Sequence, residues 1–262
     1  MLLFSFSCLY SCASESNQDN IVFKDEQGNV ITKEDLKNAT GTVNWEIMQN
    51  KDIPQKALQL HEEARILGSQ GNYTEGVEKL LEAHKMAPNW AYPIYDLAYT
   101  YLLQKDFENA LKYYEQTNEI EPRGFFTAKT AYWSLKKEAE GVFPKGLYLG
   151  FISLEWMNSE EEKIGMAKGI VDQFPLYAPA WQFLGSNLDD LEERLIAIEN
   201  GLTLDADEET KGMLLVNKAL VSDMNGNTTS AKEILGKVIL SENATVSNIE
   251  LAKYVLSSLE NK

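Results

Sequence analysis

Two landmarks of different chemistry recur at one spacing along this chain. In the turns Gly71-Asn72-Tyr73 and Lys105-Asp106-Phe107, Tyr73 and Phe107 are 34 residues apart, and Pro88 and Pro122 are again 34 apart. Each turn lies between two stretches whose apolar residues recur at helical spacing. Each proline closes the second stretch, because Pro lacks the N–H and its ring obstructs helix continuation. A repeat of two antiparallel helices constrains the fold severely, since one pair cannot bury its apolar face and neighbours must stack. The residue types suit close helix crossing: small residues stand at Ala64, Gly76, Ala83, Ala98 and Ala110, with Leu67, Leu80, Leu97, Tyr101 and Tyr114 filling the spaces between.

Over residues 57–123 these two units resemble tetratricopeptide (TPR) repeats. The expected fold is therefore all-α, a TPR-like helical-hairpin solenoid over residues 54–262 with a small N-terminal β-hairpin segment. Clear repeats span 57–123, a divergent region 124–177, and weaker repeats 178–262. Ala180-Trp181-Gln182-Phe183-Leu184-Gly185 looks like another first helix, with its turn shortened around Asp189-Asp190-Leu191. Gly226-Asn227-Thr228 looks like another turn, and Ile249 to Leu259 would cap the stack. The stretch Gly141 to Trp156, with Phe143-Pro144-Lys145-Gly146, breaks the repeat.

The resemblance implies a non-catalytic scaffold, in which the first helix of each unit lines a concave groove that holds a protein or peptide partner. Carried onto this chain, the family's groove positions are Leu58, His61, Arg65, Gly68 and Ser69 in the first unit. They are Tyr92, Tyr95, Tyr99, Leu102 and Leu103 in the second, and Phe126, Lys129, Trp133, Lys136 and Lys137 in a third. The implied groove is aromatic with a basic edge, which suits a partner segment carrying carboxylates. The Asn-and-Lys arrangement of the TPR carboxylate clamp is absent. Tyr and Trp also suit sugar rings, so glycan or small-ligand binding is the alternative. A further alternative is that several of these aromatics pack against the N-terminal segment or the divergent stretch.

Charge narrows the partners. The formal net charge of −16 argues against nucleic acid, because phosphate contact needs clustered Lys and Arg. It also disfavours broad adhesion to an anionic membrane. Catalytic and cofactor signals are missing: no Gly-rich phosphate loop and no nucleophile elbow occur, and no cofactor or metal is expected. His61 and His84 are the only histidines and lack the paired spacing of a helical zinc site. The acidic runs Asp205-Ala206-Asp207-Glu208-Glu209 and Ser159-Glu160-Glu161-Glu162 read as helix starts, where negative charge suits the helix dipole.

Residues 1–12 form a short apolar stretch ending in small residues, the layout of an export signal. Leu9-Tyr10-Ser11-Cys12 resembles a bacterial lipobox, although Tyr10 is bulkier than usual and no Lys or Arg precedes the stretch. That resemblance implies lipidation at Cys12 and an exported, envelope-anchored protein; an ordinary cleaved signal or an apolar tail with incidental cysteines is the alternative. Within the linker, 13–53, Ile21-Val22-Phe23-Lys24 and Val30-Ile31-Thr32 flank a Gly-containing turn and predict a hairpin. Val43, Trp45 and Ile47 alternate as in a half-buried strand.

Overall fold

Capping chemistry sets the helix boundaries. The computed structural model describes residues 52–260 and the backbone of three short strands at 21–24, 30–31 and 44–47. Twelve α-helices occur among these residues. The first five are α1 (Gln55–Ser69), α2 (Tyr73–Met86), α3 (Ala91–Leu103), α4 (Phe107–Ile120) and α5 (Ala128–Ala139). A short α6 (Leu147–Ile152) runs into a 3-10 turn (Ser153–Trp156), followed by α7 (Glu160–Gln173), α8 (Ala178–Asn187) and α9 (Leu191–Leu202). The last three are α10 (Glu208–Met224), α11 (Thr228–Ile239) and α12 (Val246–Glu260). The acidic runs are indeed helix starts: Ser159 accepts the amide of Glu162 at the head of α7, and Asp207 accepts those of Glu209 and Thr210 at the head of α10.

The helices stack as antiparallel hairpins in an all-α solenoid. α1 packs on α2 and α3 on α4, and each hairpin docks on the next. Ala64, Gly76, Ala83, Ala98 and Ala110 are buried at these crossings, which lets the backbones approach. Gly71 at φ +78 and Lys105 at φ 60 occupy matching turn positions in the left-handed region, so the repeat extends to backbone conformation. Farther on, the shortening expected near Asp189 falls in the helix instead of the turn. The 188–190 turn is as wide as 104–106, but α8 has 10 residues where α3 has 13.

The regular stack ends at α5. Its place beside a second helix is taken by α6, which Glu138 of α5 secures by accepting the amides of Gly146 and Tyr148, each at 2.7 Å. Burial raises the Glu138 pKa, and the two amides oppose that shift by holding the ionised form. Beyond α7 the hairpins α8/α9 and α10/α11 resume, and α12 closes the stack on α10 and α11.

These C-terminal helices also return to α5. Thr130 donates to Asp207 Oδ1 at 3.0 Å, and Ser134 hydrogen-bonds the Tyr177 hydroxyl at 3.1 Å. Arg123 Nη2 donates to the Ala244 carbonyl at 3.1 Å, while the Val246 amide donates back to the Arg123 carbonyl at 2.9 Å.

The strands β1 (Ile21–Lys24), β2 (Val30–Ile31) and β3 (Asn44–Ile47) pair antiparallel in the order β2-β1-β3, with Phe23 opposite both Ile31 and Trp45. Cys8, Cys12 and the signal and lipobox resemblance lie outside the described residues. Among the described residues no helix is long and apolar enough to cross a membrane.

Candidate binding groove

The first helix of each regular unit turns one stripe of side chains toward a common concavity. Arg65, Gly68 and Ser69 come from α1, and Tyr95, Tyr99 and Leu103 from α3, at spacings that keep each set on one helix face. Phe126 enters from the turn before α5, held at φ 46. A bulky aromatic in the left-handed region is strained, and such strain persists only where surrounding packing enforces it. Together these residues wall a cavity of about 420 Å³.

Seven of the fifteen expected groove positions therefore meet: Arg65, Gly68, Ser69, Tyr95, Tyr99, Leu103 and Phe126. The other eight do not line this cavity. His61 is fully buried, with Nε2 at 2.8 Å from Asp96 Oδ2 and its ring edge-on to Trp90 at 4.9 Å. Tyr92 is buried against Trp90, Phe125 and Phe126, the last two edge-on at 4.9 and 5.7 Å. Trp133 packs on Phe143 and Tyr177 in the core around α7 and α8. Lys129 pairs with Glu208 at 3.7 Å.

The expected basic edge is likewise taken up internally. Lys137 Nζ is 3.0 Å from Asp205, and Lys136 lies over the Tyr132 ring at 5.4 Å from its centroid. The family positions assume an open stack, whereas here the C-terminal helices lie against α5 and supply the carboxylates that pair with its lysines.

The far wall has no counterpart among the expected groove positions. Tyr148, Ile152 and Glu155 come from α6 and the 3-10 turn, so the stretch that breaks the repeat closes one end of the groove. Their i, i+4, i+7 spacing marks one helix face, but nothing local says what that face meets. Asp96 and Thr100 also lie outside the expected positions, although each follows an expected tyrosine by one residue on α3. Arg65 Nε lies 3.9 Å from Asp96 Oδ2, so Asp96 engages both His61 and Arg65.

Thr127 ties the walls together, hydrogen-bonding the Tyr95 hydroxyl at 2.8 Å and also bonding Tyr148. Burial pushes the Tyr148 and Tyr99 phenols up, so both stay neutral donors at physiological pH. Glu155 is open to solvent at the mouth, yet the concave walls desolvate its carboxyl and raise its pKa, with Lys163 opposing. Beside it Trp156 is half exposed. Among the described residues no cluster of three His, Cys, Asp or Glu side chains is placed to hold a metal ion.

Comparison with known proteins matches one helical hairpin of this stack by sequence. The family model described as tetratricopeptide repeat matches residues 91–123, which are α3, α4 and the turn that follows. No curated protein matches the chain by sequence. Among solved structures, MamA (41-end) from Desulfovibrio magneticus RS-1 is 16% identical, covering 76% of this chain and 97% of its own at a TM-score of 0.34. A thermophilic TPR protein of Thermus thermophilus is 16% identical over 76% of this chain and 99% of its own, with a TM-score of 0.32. A TPR protein from Parabacteroides merdae ATCC 43184 is 14% identical over 80% and 86%, with a TM-score of 0.36. Residues 91–123 thus match a tetratricopeptide repeat by sequence, within a stack of antiparallel helical hairpins.

Proposed function

We propose that this protein is a non-catalytic scaffold that holds a segment of a protein partner in the groove between α1 and α3. The observation that carries this reading is the cavity of about 420 Å³, where Arg65, Tyr95 and Tyr99, all expected from TPR groove positions, share one wall system. Tyrosine supplies contact area and a hydrogen bond at low entropic cost, which favours it in binding surfaces. The half-exposed Trp156 at the mouth offers a further aromatic anchor.

Anchorage at a bacterial cell envelope through Cys12 is part of the same proposal, and the sequence of residues 9–12 is its sole support. The second reading, glycan or small-ligand binding, draws on one specific feature. The wall from Tyr148 to Glu155 gives the groove a closed end, and the cavity volume falls in the range of small-molecule sites.

Crosslinking and affinity purification of a C-terminally tagged chain from native membranes separates the two readings. A near-stoichiometric protein that disappears with Tyr99→Ala plus Arg65→Ser supports the scaffold. Retention of one sugar class on a glycan array with no enriched protein supports the alternative. Trp133 is unsuitable for this test because its replacement would open the core around Tyr177.

A further inference from the structure

We infer that the groove cavity receives a cationic side chain, the Lys or Arg of a basic partner segment, in place of the acidic segment its sequence suggests. The inference rests on the scaffold reading and names the partner's chemistry.

The lysines that suggested a carboxylate partner are engaged within the chain. Lys129 and Lys137 pair with Glu208 and Asp205, and Lys136 lies over Tyr132. None of the three lines the cavity. What does line it is aromatic: Tyr73, Tyr95, Tyr99, Phe126 and Tyr148. Ring faces carry negative electrostatic potential and attract ammonium and guanidinium groups, the more so where walls exclude water.

Two carboxylates, Asp96 and Glu155, also line the cavity, against one cation, Arg65, whose Nε is 3.9 Å from Asp96. The balance of the lining is therefore negative. Glu155 at the mouth is partly desolvated with Lys163 opposing, and an entering cation would add to that opposing charge. An acidic segment would meet Glu155 and Asp96 with like charge. The field of the whole chain acts in the same direction, because a net charge of −16 draws a basic segment toward the surface and repels an acidic one. The closed end formed by α6 suits a side chain inserted end-on, with its backbone running across the mouth past Trp156.

Capped pentapeptides differing only in a central Lys, Arg, Gln or Glu test this on the full chain at low salt, read by amide NMR shifts of Thr100, Thr127 and Ile152. The Lys and Arg peptides are expected to bind about tenfold more tightly than the Gln and Glu peptides. Glu155→Gln is expected to weaken them about fivefold without altering the remaining spectrum. Because Asp96 also holds His61, Glu155→Gln is the primary variant and Asp96→Asn the second.

The inference is overturned if the Glu peptide binds as tightly, if neither variant weakens the basic peptides, or if no peptide shifts these amides up to about 10 mM. The two levels of the reading fail separately. A captured partner whose crosslinked segment carries no Lys or Arg sinks the cation site and leaves the scaffold. Basic peptides that bind as expected, with no partner captured, do the reverse.

Discussion

Gly71 and Gly124 both hold left-handed backbone, but in different surroundings. A Cβ at Gly71 would meet nothing within 4 Å, whereas one at Gly124 would fall 2.8 Å from Thr245 Cγ2. The first belongs to the regular stack of α1 to α4, where each hairpin touches only its neighbours. The second belongs to the seam where residues 121 positions apart, Arg123 and Ala244, are bonded. The regular half leaves a concave face with a cavity, while the C-terminal half closes on α5 and takes its lysines as ion-pair partners. The comparison teaches that one helical-hairpin unit serves two ends. Strict repetition builds a groove, and departure from it provides the groove's end wall and a seam.

The largest test of that contrast is the matched pair of glycine substitutions. Gly124→Ala should cost about 3 kcal/mol, combining left-handed strain with displacement of Thr245. Gly71→Ala should cost about 1 kcal/mol from strain alone. Equal shifts in urea midpoint would show that the seam does not hold the halves together.

Next in size is Thr130→Val, which removes a donor to a buried carboxylate. It should cost about 1.5 kcal/mol and increase hydrogen exchange at the head of α10 more than in α1 and α2. Uniform exchange changes would break the comparison.

The seam also carries a pH signature. Burial raises the pKa of Asp207, and that of Glu209 is raised well above its usual value by burial and by the neighbouring Asp207 charge. A raised folded-state pKa means that the stabilising contribution is complete below the unfolded values and is lost as pH rises through the folded ones. Stability should therefore decline above about pH 4.5. Glu209→Gln, which offers an amide donor where two carboxylates repel, should gain about 1 kcal/mol at pH 7 and flatten that decline. An unchanged slope in thermal melts from pH 4 to 8 would show that the pair does not titrate at the seam.

The smallest effect belongs to the regular half. Lys105→Gly, giving a left-handed turn the residue used at Gly71 and Gly226, should stabilise by about 0.5 kcal/mol. A loss would mean that the lysine side chain contributes more than its backbone strain costs.

Much of the fold was legible because its cause is local. The 34-residue spacing, the prolines after α2 and α4, and the acidic first turns of α7 and α10 each depend on neighbours within a turn or two. The groove was legible in part for the same reason. Arg65, Tyr95 and Tyr99 follow from helix phase, and Asp96 and Thr100 were one residue away, whereas Phe126 arrives from the turn before α5.

His61, Lys129 and Trp133 were read as groove residues because helix phase cannot show that another element arrives to bury or pair them. The sequence by itself determined the repeat, the hairpins and the aromatic stripe, all products of hydrogen bonding and packing between near neighbours. Only the tertiary structure decided that α6 ends the groove, that Thr130 meets Asp207 across 77 residues, and that the basic edge is neutralised. Contacts closed over such separations leave no periodic trace in the chain, since each partner's local pattern is satisfied whether or not the other arrives.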